Sequence, residues 1–385
     1  MSAKALILFT VLLDIIGIGI VIPVLPFFVK SFGVSDFTVT SIFAFFAFFS
    51  FFSAPLLGSL SDRYGRRPIL LVSILSTSIG WFVFAGAPTV LFLFIGRIID
   101  GLAAGNISTA QSYLGDIATD EKERAGNMGL IGAMFGIGLI VGPLVGGLLG
   151  SINHTLPFYV VGALALINVI LAYFFLPETH LVRSTAPISL NPVLPIIKAM
   201  RHPIVLPILS AWFFVGVAIS LQQAIFSLFV HKVFGLEEFA SGMIFTSMGV
   251  VLVINQGYLL KKFWLHIFTQ KQLLLSMLFA LSIGFFLTSV PLWFVFALGL
   301  LINTFAQSIL RTVMLSLMSA VDHEKRGENM GTMTAIMSLS MIVGPFVGGW
   351  VYMLNPYYPF IFAGCCGMVA YGIIRYSGLL KRLPA

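Results

Sequence analysis

The sequence predicts an all-α membrane protein of twelve spanning helices arranged as two like-oriented halves. Three observations predict it. Of 385 residues, 59% are hydrophobic and only 9% are charged, and the mean hydropathy is +1.05. Soluble domains carry about 25% charged residues, so most of this surface must face lipid. Apolar runs of about 20 residues, long enough to cross a bilayer as a helix, recur from end to end. The second half of the chain also repeats the first. Open sheets would strand backbone groups in hydrocarbon, and the alternation of an outer-membrane barrel is absent.

The spans are expected at 5–28, 38–60, 69–87, 90–115, 125–150, 156–176, 204–230, 239–260, 270–289, 291–319, 327–353 and 357–378. Charged or Pro/Gly-containing stretches separate them. The first run is too long for a signal-peptide core and contains Asp14, so it reads as a retained span. Lys and Arg then set the orientation. With a cytoplasmic N-terminus, that side receives Lys4, Arg63, Arg66, Arg67, Lys122, Arg124, Arg183, Lys198, Arg201, Lys261, Lys262, Lys271, Lys325, Arg326, Lys381 and Arg382. The other side receives Lys30 and Lys232. Both termini are therefore expected in the cytoplasm, in a bacterial inner membrane. The net charge of +7 is this topology signal and not a nucleic-acid footprint.

Residues 177–203 contain Pro177, Pro187, Pro192, Pro195 and Pro203 and form the expected cytoplasmic linker. It joins an N-terminal half, 1–176, to a C-terminal half, 204–385. Its stretch 188–201 is patterned as a short amphipathic surface helix. The halves repeat at an offset of 202. Asp120, Arg124, Asn127, Met128 and Gly129 map to Asp322, Arg326, Asn329, Met330 and Gly331. Gly142-Pro143 maps to Gly344-Pro345, Gly146-Gly147 to Gly348-Gly349, and Pro157-Phe158 to Pro359-Phe360. Six spans is an even number, so the copies point the same way. A parallel repeat implies a site between the halves near the bilayer midplane.

The stretch Gly58-Ser59-Leu60-Ser61-Asp62-Arg63-Tyr64-Gly65-Arg66-Arg67 separates two apolar runs. Gly65 suits a tight turn, Arg63, Arg66 and Arg67 hold the turn on the cytoplasmic side, and Asp62 needs a cation or a helix N-terminus. The pattern resembles the loop between spans two and three of the major facilitator superfamily of transporters. That resemblance implies that Asp62 meets the start of span eleven and that Arg66 reaches Asp116, latching the outward-open state. On the residues alone, the same charges also serve topology. The second-half loop Gly257–Lys262 keeps the glycine and the cations but lacks the acid, so the latch is expected to be one-sided.

Span five carries Gly138, Gly142, Gly146 and Gly150 at four-residue spacing, with Pro143 and Gly147 beside them. Such a stripe lets another backbone approach closely, and Pro143 bends the helix. This segment resembles the span-five motif of drug/proton antiporters. Gly344, Pro345 and Gly348 repeat it in span eleven, with Ser340 in the first glycine position. Plain helix packing and a role in coupling are both compatible with it.

Four ionisable residues remain at depth: Asp14, Arg97, Asp100 and Arg311. Each costs roughly 2.5–3.5 kcal/mol on insertion scales. Arg97 and Asp100 lie three apart on one helix face. Burial tightens the hold of a carboxyl on its proton and a neighbouring Arg loosens it, so a site that changes partner can bind and release a proton. Asp14 or Asp100 is expected to carry the proton and Arg97 to tune it. A static salt bridge between spans one and four is the simpler alternative. The segments Leu13–Pro23 and Gly96–Gly105 resemble spans one and four of the tetracycline-efflux branch of the superfamily. Asp100 departs from that pattern, which commonly has Gln or a small residue there.

Candidate substrate-wall residues are Asn106 and Gln111 on span four, with Ser108 between them. Gln222 and Gln223 lie on span seven, Asn255 and Gln256 on span eight, and Asn303, Gln307 and Arg311 along one stripe of span ten. Amides near aromatic residues such as Phe226 and Phe305 suit an amphipathic organic compound, although interhelical bonding is the commoner use of an amide. Arg311 favours an anionic or chelating group, or pairs with an acid across the cavity. There is no P-loop, no metal-ligand spacing among the six histidines or at Cys365-Cys366, and no nucleophile paired with a base.

The expectation is therefore a non-enzymatic secondary transporter without cofactor, acting as a monomer in the lipid bilayer. It exchanges protons for small organic compounds or drugs by alternating access. Uptake or uniport of a sugar or organic anion is the alternative within the fold. A non-transporting receptor or scaffold is the alternative outside it.

Overall fold

The computed structural model describes residues 3–179, 193, 196–197, 202–321 and 326–379. The side chains of 122, 125, 261, 319–320 and 326–328 fall outside that description. Most of the linker, including the stretch expected as an amphipathic helix, also lies outside the described residues.

All regular structure among the described residues is helical. Twelve helices are long and apolar enough to cross a membrane: Ala3–Lys30, Asp36–Tyr64, Arg66–Ala85, Val90–Asp116, Gly126–Ile152, Leu156–Phe175, Val205–Phe234, Glu238–Leu260, Gln270–Thr288, Trp293–Met318, Asn329–Leu354 and Tyr358–Tyr376. They are called spans one to twelve below.

Local chemistry explains several ends. Span three begins after Gly65, whose φ of 110° excludes most side chains. Span seven stops at Gly235, left-handed at φ 67°, whose N–H returns to the His231 carbonyl while the Leu236 N–H returns to that of Val230. The helix carrying span five is capped by Asp120, which accepts from the Glu123 N–H at 2.6 Å. Glu123 in turn accepts from the Thr119 N–H and hydroxyl. These bonds hold its carboxyl below the usual range.

Two spans differ from the expected continuous rods. Span four is interrupted between its segments Val90–Leu102 and Asn106–Asp116. At the break the Gly101 carbonyl accepts from Ser53 Oγ at 2.7 Å, so a group freed from the helix ladder is satisfied by span two. Span eight is π-helical over its last residues, in a stretch Asn255–Trp264 that runs beyond the expected span end at 260. The wider turn brings Trp264 Nε1 onto Asn255 Oδ1 at 2.8 Å.

Packing groups the chain into two units. The first comprises Met1–Val34, Phe45–Asn191 and Glu237–Thr246. The second comprises Ser35–Ala44, Pro192–Leu236 and Ser247–Ala385. The start of span two thus packs with the second unit, and the start of span eight with the first. The core of the first unit gathers Leu6, Val11, Ile15, Ile74, Tyr113 and Ala172, among others. In the second unit Phe229, Phe296 and Phe360 form an aromatic cluster.

The glycine stripe of span five faces span one. A Cβ on Gly142 would come within 2.7 Å of Gly19 Cα, and one on Gly138 would strike Ile15. Gly147, a residue off the stripe, instead meets the start of span eight, where a Cβ would lie 2.9 Å from the Glu238 carbonyl. Pro143 belongs to both contacts: its ring lies against Gly19 and its carbonyl against Gly242. Span eleven repeats the arrangement in the second unit. Gly344 and Gly348 face Val217, Ser220 and Leu221 of span seven, and Gly349 faces Thr40 at the start of span two.

Candidate functional site

The first unit holds a buried polar network. It begins where spans three and four cross on two glycines. A Cβ on Gly96 would sit 2.6 Å from the Gly80 carbonyl, and one on Gly80 would sit 2.7 Å from the Gly96 carbonyl. One residue beyond Gly96, Arg97 is 5% exposed. Its Nη1 donates to Asp100 Oδ2 at 2.7 Å. Its guanidinium carbon lies 4.1 Å from the Phe46 ring centre and 4.7 Å from that of Trp81. An ion pair and two rings thus replace the water that this cation gave up.

Asp14 of span one joins from the other side. Asn106, the first residue after the break in span four, has its side chain beside this carboxyl, and Asp100 is its charged neighbour. Asn106 Nδ2 reaches Thr77 Oγ1 at 3.4 Å, and Thr77 lies beside Asp100. Asp14, Asn106, Thr77, Asp100 and Arg97 of spans one, three and four are thus neighbours, joined by the Asn106–Thr77 and Arg97–Asp100 hydrogen bonds. The network contains two carboxyls and one guanidinium, and the guanidinium is committed to Asp100. Asn106 Oδ1 is buried without a hydrogen bond. Gln111 lies outside the network, exposed on the second segment of span four.

The loop between spans two and three is tied down within the first unit. Arg66, 8% exposed, donates from Nε to Asp116 Oδ2 at 3.0 Å and from Nη1 to Ser61 Oγ at 3.1 Å. Its Nη1 also pairs with Asp62. Residues 326–328, which open the helix carrying span eleven, the expected seat of Asp62, have their side chains outside the described residues. Sequence reasoning missed Glu178. Its two oxygens accept the Arg66 N–H at 3.0 Å and the Arg67 N–H at 3.1 Å, closing the N-terminus of span three. Glu178 occupies the space a Cβ on Gly65 would need. A signal was available: Glu178 is an acid that follows Pro177 directly after span six. Arg67 donates to the Tyr173 carbonyl at 2.6 Å. Arg63 lies over the Tyr64 ring at 5.9 Å. Gly58 has open space where a Cβ would go.

In the second unit the predicted amides divide. Gln307 Nε2 donates to Gln222 Oε1 at 3.2 Å, joining spans ten and seven. Gln222 Nε2 is buried without a hydrogen bond. Asn303 turns instead toward span nine, where its side chain fills the space beside Gly284. Asn255 uses its carboxamide structurally: Nδ2 donates to Ser308 Oγ at 2.6 Å while Oδ1 accepts from Trp264. Gln223 and Gln256 are half-buried. Phe226 is fully buried and stacks on Phe296, which makes it packing material. Arg311 is exposed.

Twelve spans around buried charges define a polytopic membrane transporter. Residues 7–321 match the Major Facilitator Superfamily, and the chain belongs to it. It is 31% identical over 358 residues to the tetracycline resistance protein, class C, of Escherichia coli, covering 91% of this chain and 90% of that protein. It is 27% identical over 363 residues to multidrug resistance protein 2 of Bacillus subtilis (strain 168), covering 93% and 90%. In fold it resembles a bacterial homolog of the human lysosomal transporter Spinster, in an inward-facing and unoccupied conformation. The TM-score is 0.81 at 16% identity, covering 100% of this chain and 98% of that one. The chain is thus an integral membrane transporter and not an enzyme.

Proposed function

We propose that this protein is a proton-coupled antiporter that exports small amphipathic organic compounds from the cytoplasm by alternating access. It would act as a monomer in a bacterial inner membrane, with both termini cytoplasmic and the proton as its coupling ion. Its likeness to tetracycline and multidrug resistance proteins supports the substrate class.

One observation carries the coupling reading. Of the two carboxyls in the buried network, Asp100 holds Arg97, whereas Asp14 has the neutral amide of Asn106 and the Asp100 carboxyl beside it. With both carboxyls ionised and Arg97 charged, one negative charge is in excess, and a proton on Asp14 removes it. Asp14 is therefore assigned as the carrier. Asp100 with Arg97 fixes the field around it, and Asn106 holds its orientation. Protonation from outside and discharge to the inside would accompany the rocking of the two halves. The Arg66–Asp116 and Arg66–Asp62 pairs, with Glu178 behind them, would hold the cytoplasmic loop as the latch of one state. Close packing of span five on span one would carry movement of Asp14 to the rest of the bundle.

The test is flux in proteoliposomes under an imposed pH gradient, with tetracycline and fluorescein as probes. Proton-linked uptake of either, lost in Asp14→Asn, is expected. Absence of proton-linked flux for both probes would sink the antiport reading. Gradient-independent counterflow of a sugar or organic acid would replace it with uniport.

A further inference from the structure

We infer that Arg311, with the Gln222–Gln307 amide pair one turn away, forms an oxyanion subsite in the second unit, so that the transported compound carries an acidic group. This deepens the transport reading above and rests on it for the direction of movement, but not for binding.

The starting point is an ionic imbalance. Both intramembrane cations are arginines, yet among the described residues only one is matched. Arg97 has a carboxylate and two aromatic rings. Arg311 has no ion pair, hydrogen bond or ring contact among the described residues. The acids of its own unit lie at span ends: Asp36 opens span two, and Asp322, Glu324 and Glu328 follow span ten in sequence with their side chains outside the described residues. A guanidinium stays ionised in proteins, so Arg311 brings a full positive charge into span ten.

That charge faces the protein. On a helix of 3.6 residues per turn, positions two turns apart share a face. Thr304 and Met318, two turns before and after Arg311, are 4% and 0% exposed. The lipid face of span ten is marked instead by Phe294, Leu298 and Leu301, all well exposed. These lie roughly 80–140° around the helix from Arg311. Arg311 is thus an exposed residue on an otherwise covered face, which is a recess and not a lipid contact.

The neighbouring amides are arranged to donate. Gln307 gives its N–H to Gln222 Oε1, which fixes the Gln222 carboxamide and leaves Gln222 Nε2 as a donor. That nitrogen is buried and has no acceptor in the structure, on a residue only 4% exposed. A buried donor without an acceptor is costly to keep. A planar guanidinium one helical turn from Gln307, on the face where that amide pair leaves an N–H unmatched, is suited to a carboxylate, enolate or phenolate, which offers several lone pairs and takes a bidentate grip. A cationic compound would meet only repulsion there.

The experiment uses two dyes that share a xanthene ring: fluorescein, an anion, and rhodamine 6G, a cation. Binding to the detergent-purified full chain is read by fluorescence anisotropy, which needs no proton gradient. Failure of coupled flux therefore leaves this result standing. Wild type is expected to bind fluorescein at least tenfold more tightly than rhodamine 6G. Arg311→Gln should remove that preference while keeping rhodamine binding, which also shows that the variant is folded. Arg311→Lys should retain a weaker preference, since it keeps the charge and loses the fork. Gln222→Leu should reduce fluorescein binding severalfold. Three results would overturn the subsite: wild type preferring the cation, discrimination unchanged in Arg311→Gln (as when a lipid phosphate holds the arginine), or equal loss of both dyes in a folded Arg311→Gln (as when an acid of the protein holds it).

Discussion

Spans three and four cross in the same way as spans nine and ten, but they carry different chemistry. In the first crossing the Gly80 and Gly96 backbones touch, and Arg97 and Asp100 follow in sequence. In the second, Gly284 and Gly299 touch, and Leu300 and Asn303 stand in the corresponding places. A Cβ on Gly299 would lie 2.7 Å from the Gly284 carbonyl, nearly the distance found at Gly96. The crossing therefore needs the glycines and not the ion pair. Retaining Arg97 and Asp100 in only one copy calls for a reason beyond packing, because a buried ion pair is weak evidence for stability. The two units differ accordingly: the first keeps two carboxyls and one guanidinium in the network around Asp14, and the second keeps neutral amides and an arginine, Arg311, that has no ion pair among the described residues.

The comparison can be broken in several places. The largest effect is expected in transport. Asp14→Asn should lower pH-driven flux about a hundredfold or more, in the range ascribed to a positioned proton-transfer group, while the variant still elutes as folded protein. Full coupled transport by this variant would remove Asp14 from the mechanism.

Next is the ion pair itself. Arg97→Leu leaves Asp100 buried and unpaired and should cost about 3–5 kcal/mol, read as a lowered thermal unfolding midpoint in detergent. The double variant Arg97→Leu/Asp100→Asn installs the residues of the second crossing in the first. It should recover most of that stability and none of the coupling. A double variant as unstable as the single one would mean that the first crossing does need its charges.

A smaller effect tests the glycines. Gly96→Val and Gly299→Val should each cost about 1–3 kcal/mol by overpacking, and by similar amounts. A marked inequality between them would show that the two crossings are not equivalent. The smallest effect concerns the loop. Glu178→Gln weakens two backbone hydrogen bonds at the start of span three and should cost about 1–2 kcal/mol. Faster hydrogen exchange at Arg66 and Arg67, with the rest of the chain unchanged, is the expected sign.

Much of the fold was legible in the sequence because the bilayer enforces a local rule. A span needs a run of apolar residues of a set length, and such runs can be counted without knowing what they pack against. The internal repeat was legible because Pro, Gly and Asn recur at one offset where apolar drift would not keep them. Charges at depth stood out for the same reason. The break in span four and the π-helical end of span eight were not legible. The first depends on Ser53 arriving from span two, and the second on the side chain of Trp264 folding back on Asn255.

The candidate site divides along the same line. That Asp14, Arg97, Asp100 and Arg311 are unusual follows from sequence, since each sets a charge in oil. Which acid holds the arginine, that Asn106 lies beside Asp14, that Glu178 closes the loop at Gly65, and that Arg311 has no carboxylate partner among the described residues were decided by tertiary structure. The physical reason is that hydropathy is a property of each segment alone. A side chain's partner depends on how each helix is rotated about its axis and where it crosses its neighbours, and both are fixed by close contacts such as Gly80 against Gly96 and Gly19 against Gly142.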